Sequence, residues 1–151
     1  MVEDSATDAD LALRLFRRAG IANPLTVLPS SERALAYLFG TGACAKRGPV
    51  RPLLILLDLQ LPGMSGHDFL RRIRSHESTS DIPVVSLSMT RSAPAIMMCL
   101  QLGVAEHLIK PVDVAALLQV TRRLKLSLVM LPPECASARN ERVCGPMAMQ
   151  A

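Results

Sequence analysis

Five consecutive hydrocarbon side chains, Leu53 to Leu57, run into a single carboxylate, Asp58, and then into the turn residues Pro62 and Gly63. A run this short and this uniformly apolar is a strand buried on both faces, because a strand with one wet face would alternate. Residues 82–88, "IPVVSLS", repeat the pattern, and "LTVL" (25–28) and "EHLIK" (106–110) are shorter β-prone stretches. A sheet covered on both sides needs helices between its strands, and the intervening segments supply them.

The first helix is marked by Leu11, Leu15 and Ala19 at helical spacing, with Ser5 as its cap and Gly20 at its end. A second runs from a Ser30 or Ser31 cap to Gly40, and a third from about Ser65 to His76 with Phe69, Leu70 and Ile73 on one face. The fourth occupies about 94–102. The fifth is expected from an Asp113 cap through Leu117, Leu118, Leu124 and Leu128 to Pro132. Residues 40–52 read as loop: their glycines and Lys46 are in the wrong order for a phosphate loop, and no strand leads into them. From 132 to 151 there is no sustained period, and a flexible tail is expected.

Composition narrows the function classes. At 151 residues one domain is expected. No apolar run approaches the ~18 residues of a membrane span, and the start is acidic where a secretory signal would be basic, so a cytoplasmic protein without a membrane partner is expected. Cys44, Cys99, Cys135 and Cys144 show no metal-ligand spacing and read as free thiols. The net charge of +4 owes part of its excess to Arg71, Arg72 and Arg74, which read as a solvated helix face. With one Tyr, three Phe and no Trp to stack on bases, no nucleic-acid partner is expected.

In sheets of this kind ligands bind beyond the carboxyl ends of the strands. There the sequence delivers Asp58 from one strand, Ser86 and Ser88 from the next, Lys110 from the last, and Glu3 and Asp4 from the chain start. Singly, each reads as a turn or surface residue. Together the acids would repel one another unless a cation joins them, and Mg²⁺ suits an all-oxygen set that also takes a phosphoryl oxygen. An Asp can serve as nucleophile in phosphoryl transfer, where the protein mainly positions groups and neutralises charge.

The motifs "VEDS", "LLDLQLPGMSG", "PVVSLS" and "HLIKPV" resemble the receiver domain of two-component response regulators over about residues 1–130. The resemblance implies a flavodoxin-like three-layer α/β/α sandwich, with a five-stranded parallel sheet of order 2-1-3-4-5. It implies a receiver domain over 1–131, with Asp58 as phosphoacceptor and Ser88 and Lys110 as phosphoryl contacts. Asp4 becomes a direct Mg²⁺ ligand, Glu3 a metal or metal-water partner, and the Gln60 carbonyl a further ligand. The partner is then a sensor histidine kinase. Self-phosphorylation and dephosphorylation are the only catalysis expected. The start, the long loop before Leu53 and the "LSLVMLPPE" ending also resemble single-domain regulators paired with bacterial phytochrome kinases. A haloacid-dehalogenase-type phosphatase would need a second acid where Gln60 stands.

Three departures carry consequences. His107 holds the place of an aromatic switch residue, and Met89 stands where a small residue usually leaves room for the phosphodonor. Only Met1 and Val2 precede Glu3, so the first strand, central in this order, is truncated and its neighbours are expected to face a gap. Unpaired backbone groups there would each cost about 1–3 kcal/mol. Helix four, "AIMMCLQL", is apolar almost all round. With Leu126, Val129, Met130 and Leu131 it marks a face of helix four, the fifth strand "EHLIK" (106–110) and helix five that is expected to form a homodimer. About 20 residues after helix five leave no room for a DNA-binding module, so output is expected through protein contacts. The alternative is a phosphorylation-independent adaptor of the same fold, its chemistry silenced by the short strand or by Met89.

Overall fold

The computed structural model describes residues 1–89, 93–131 and 142–143. In chain order the elements are α1 (Ala6–Arg18), β1 (Thr26–Val27), α2 (Ser31–Phe39), β2 (Ile55–Asp58), α3 (Gly66–Arg74), β3 (Val84–Ser88), α4 (Ala93–Gln101), β4 (Glu106–Ile109), α5 (Val114–Arg123) and β5 (Arg142–Val143). Side-chain oxygens start four of the helices: Ser5, Ser30, Ser65 and Asp113 accept from the N–H of Asp8, Arg33, Asp68 and Ala115. α2 stops at Gly40, whose φ of 63° is left-handed and whose missing Cβ would lie 2.3 Å from the Gly48 carbonyl carbon. Residues between α2 and β2 are loop with one 3₁₀ turn, Gly42–Cys44.

β2, β3 and β4 pair in parallel, with Leu57 opposite Ser86 and Ser86 opposite His107. The alternation of the strands feeds two cores. Ile55, Leu57 and Val84 pack with Leu38, Phe69, Leu70 and Ile73 from α2 and α3; Leu56, Val85 and Leu87 pack with Ala12, Phe16, Leu117 and Val120 from α1 and α5. Every residue of β2 and β3 is buried, as the uninterrupted hydrocarbon requires.

Between β1 and β2 the first strand is reduced to Val2, which bridges in parallel to both Leu28 and Leu57. Counted as the first strand, with β1 to β4 as strands two to five, this segment gives the order 2-1-3-4-5. The expected gap is largely closed at this level. The Met1 amine donates to the Thr26 carbonyl at 2.8 Å, Val2 N–H to Leu56 O at 2.8 Å and Glu3 N–H to Leu28 O at 3.0 Å; the Met1 and Val2 carbonyls accept from Leu28 and Asp58. Beside Met1 and Val2 lies an apolar pocket of about 340 Å³, lined by Phe16, Leu25, Leu38, Leu54 and Leu128 among others. On the far side of β1, β5 pairs in parallel with it, within the segment expected to be a flexible tail; residues 132–141 and 144–151 lie outside the described residues.

Two sequence expectations are corrected. α5 ends at Arg123, not near Pro132: Lys125 takes a left-handed φ of 54°, and the chain returns along Gly20 to Asn23, with Ala22 N–H on Val129 O and Leu131 N–H on Gly20 O. Leu124, Leu126 and Leu128 are half-buried while Lys125, Ser127 and Val129 are exposed, which is a period of two, not 3.6. Nor is Arg74 part of a solvated face. Its guanidinium donates to the carbonyls of Ser80, Ile82, Leu102 and Gly103, tying α3 to the turns around β3. Cys44 and Cys99 are free thiols; Cys135 and Cys144 lie outside the described residues.

Burial pulls the Met1 amine down from its ordinary pKa near 8 to about 5. Between those values the unfolded chain binds a proton that the folded chain does not, so this contribution to stability is complete above pH 8 and is lost as pH falls toward 5. Melting temperature should therefore drop across that window, and acetylation of the amine, for which the adjoining cavity has room, should flatten the slope. An equal slope in the acetylated protein would contradict the burial of a neutral amine.

Candidate functional site

The carboxyl ends of the parallel strands bring the acids together. Buried Glu3, exposed Asp4 and buried Asp58 offer ligand oxygens that all lie within 4.8 Å of one another. Glu3 and Asp58 owe their places to the backbone: Asp58 closes β2 and its N–H is held by Val2, while Glu3 follows directly from the bridge. Beyond Asp58 the chain turns at once, and the Gln60 N–H donates to Asp58 Oδ1 at 2.8 Å.

Lys110 enters from the end of β4, before a cis peptide bond to Pro111. Its side chain is 7% exposed, and Nζ lies 2.6 Å from Asp58 Oδ2, 2.6 Å from Glu3 Oε2 and 2.9 Å from Asp8 Oδ2. Burial alone would lower the Lys110 pKa; hydrogen bonds with Asp58, Glu3 and Asp8 outweigh it and hold the ammonium above its ordinary range. For Glu3 burial dominates in the other direction, and with the charge of Asp58 it raises the carboxyl above its ordinary value despite Lys110.

Glu3 Oε1 accepts from Ser5 N–H at 3.2 Å. Glu3 Oε2 is fully buried and lacks a well-directed hydrogen-bond donor among the described residues; Lys110 meets it as an ion pair. A buried acceptor with spare lone pairs, facing two further carboxylates, is the donor set a hard divalent cation takes. The residues present fit such an ion.

Ser88 is buried at the end of β3, beside the end of β2, and its carbonyl accepts from Lys110 N–H. Two residues earlier, Ser86 Oγ and His107 Nδ1 are 2.9 Å apart, so the imidazole in the aromatic position is turned toward β3. Met89 is 65% exposed at the rim. Of the residues predicted from sequence, Glu3, Asp4, Asp58 and Lys110 form one cluster, and Ser88 and Gln60 flank it. Two contributors escape a sequence reading. Asp8 resembles any first-turn acid of a helix. Glu32 signals nothing by its spacing, yet its Oε1 accepts from Met64 N–H at 3.0 Å and pins the Pro-Gly turn to α2.

A doubly covered parallel sheet with an acid triad, a buried lysine and a strand-end aspartate at the carboxyl ends of its strands defines a flavodoxin-like α/β domain. The chain belongs to the response regulator receiver domain family, whose model matches residues 1–122, and it is therefore a component of two-component signalling. It is 36% identical to "Two-component response regulator ARR7" of Arabidopsis thaliana over 76% of this chain and 55% of that protein, and 30% identical to ARR15 of the same plant over 99% and 70%. It thus spans little more than half the length of the first of these relatives. Among solved structures it is similar to the bacteriophytochrome response regulator AtBRR (30% identity, TM-score 0.77, covering 86% of this chain and 93% of that one). It is also similar to the Mn²⁺-bound form of response regulator Rcp1 (30%, TM-score 0.69, 87% and 95%). Among the described residues no helix is long and apolar enough to cross a membrane.

The turn that aims Asp58 tolerates no side chain at Gly66. A Cβ there would sit 2.7 Å from the Asp58 carbonyl oxygen and 2.8 Å from Leu59 Cα, both backbone. Gly66→Ala should cost about 2–3 kcal/mol in chemical denaturation, at the upper end of overpacking effects; a change within experimental error would show that the turn can shift.

Proposed function

We propose that this receiver accepts a phosphoryl group on Asp58 from the phosphohistidine of a sensor histidine kinase. The observation that carries the reading is the Lys110 ammonium, 2.6 Å from Asp58 Oδ2 in a pocket where the other acids can hold a cation. An Asp58 oxygen attacks phosphorus, the P–N bond of the donor breaks, and its electron pair leaves with the imidazole, which takes a proton. The product is an acyl phosphate on Asp58. Lys110 leaves the carboxylate for a phosphoryl oxygen, and the hydroxyl of Ser88 donates to another. Asp4, Asp58 and the Gln60 carbonyl would hold Mg²⁺, with Glu3 joining directly or through water. When bound, the ion neutralises the clustered carboxylates and the transferring oxygens.

The movement of Lys110 and Ser88 biases β3 and β4, and the Ser86–His107 contact lies two residues before Ser88 and three before Lys110. The readout is a protein surface. Met97 (56% exposed), Met98 and Leu100 on α4 leave hydrocarbon in water, which supports self-association through the α4–β4–α5 face. The similarity to bacteriophytochrome regulators supports a phytochrome-type kinase as donor. A silenced adaptor has no use for the buried acids that Lys110 neutralises, so their presence favours the phosphorylated reading.

Incubation with Mg²⁺ and acetyl phosphate should add one phosphate, read by intact mass, and Asp58→Asn should abolish it. Chelation of the metal should do the same. A wild-type protein that stays unmodified would transfer support to the adaptor.

A further inference from the structure

Asp8 contacts Lys110 from a helix whose first turn is arranged to allow it. α1 is capped by Ser5, whose Oγ accepts from Asp8 N–H at 3.2 Å, so Asp8 is the third residue of the helix. In a capping box a Glu or Gln at that position reaches back to the N–H of the cap residue. Here that N–H is already taken by Glu3 Oε1. The Asp8 carboxylate is released, and Oδ2 turns to Lys110 Nζ at 2.9 Å, joining residues 102 apart in sequence.

The three acids around Lys110 differ in kind. Glu3 and Asp58 have buried side chains and belong to the cation and phosphoryl site; Asp8 is 38% exposed and belongs to neither. We infer that Asp8 is a positioning residue that competes with the phosphoryl group for Lys110 and so holds down the rate and extent of Asp58 phosphorylation. The inference rests on the reading of the site given above. Transfer replaces the Asp58 carboxylate by a more highly charged group beside the same ammonium. Asp8 both occupies one of the ammonium's protons and adds a like charge to the field that an incoming dianion meets.

Asp8→Asn keeps the side chain's size and removes its charge. With Mg²⁺ and acetyl phosphate it should be phosphorylated roughly three- to ten-fold faster than wild type at low ionic strength, the gap narrowing as salt is added. Asp8→Glu should restore the wild-type rate and its salt dependence. Independently of turnover, Asp8→Asn should bind beryllofluoride with Mg²⁺ more tightly by a similar factor, read by amide NMR titration. An Asn variant no faster and no tighter than wild type overturns the inference, as does a Glu variant that behaves like Asn. If wild type takes up phosphate in the same assay while the variants do not differ, the failure belongs to Asp8 alone; if wild type takes up none, the reading of the site falls and Asp8 with it.

Discussion

One ammonium among three carboxylates organises this molecule. Lys110 Nζ meets three acidic partners, Asp58, Glu3 and Asp8, drawn from β2, from the chain start and from α1. Without it, two buried carboxylates would face each other in a low-dielectric pocket, where one would have to protonate. A buried pair is poor evidence of net stability, but removing one partner leaves an uncompensated charge. The pocket is thus built to be incomplete: the lysine satisfies it at rest, and Glu3 Oε2 keeps capacity for another cation.

The placement of those groups follows from backbone pairing. Two residues of first strand suffice because the backbone N–H and carbonyl groups of Met1 and Val2 find partners on β1 and its flank or on β2, and the same bonds fix Glu3 and Asp58 at one level. The apolar pocket lined by Met1, Phe16, Leu25 and Leu54 lies on the side of this strand away from the acids.

Much of this is legible in the sequence for identifiable reasons. Strands buried on both faces cannot disguise themselves, so "LLILL" and "PVVSLS" declare the parallel sheet, and Asp58, Ser88 and Lys110 fall at strand ends by simple counting. The helix caps at Ser5, Ser30, Ser65 and Asp113 are equally local. What escapes is long-range. Leu124, Leu126 and Leu128 imitate a helical continuation, since one apolar residue in two also satisfies an i, i+4 pattern. Arg74 looks solvated because its carbonyl partners lie on turns outside its own helix, and Asp8 looks like helix polarity because its release depends on Glu3 taking the Ser5 N–H. The gap expected beside the first strand is closed at the level of Met1 and Val2, because the two residues between them find backbone partners on both sides there.

Lys110 and a divalent cation act on the same charges, and the stability of Lys110→Met at pH 8, measured by chemical denaturation in chelator and in Mg²⁺, tests this most directly. A loss of about 3–5 kcal/mol is predicted in chelator, the range for breaking a buried pair, much of it regained with Mg²⁺. A variant as stable as wild type without the metal, or one indifferent to it, would contradict the claim that these acids need a cation to stand together.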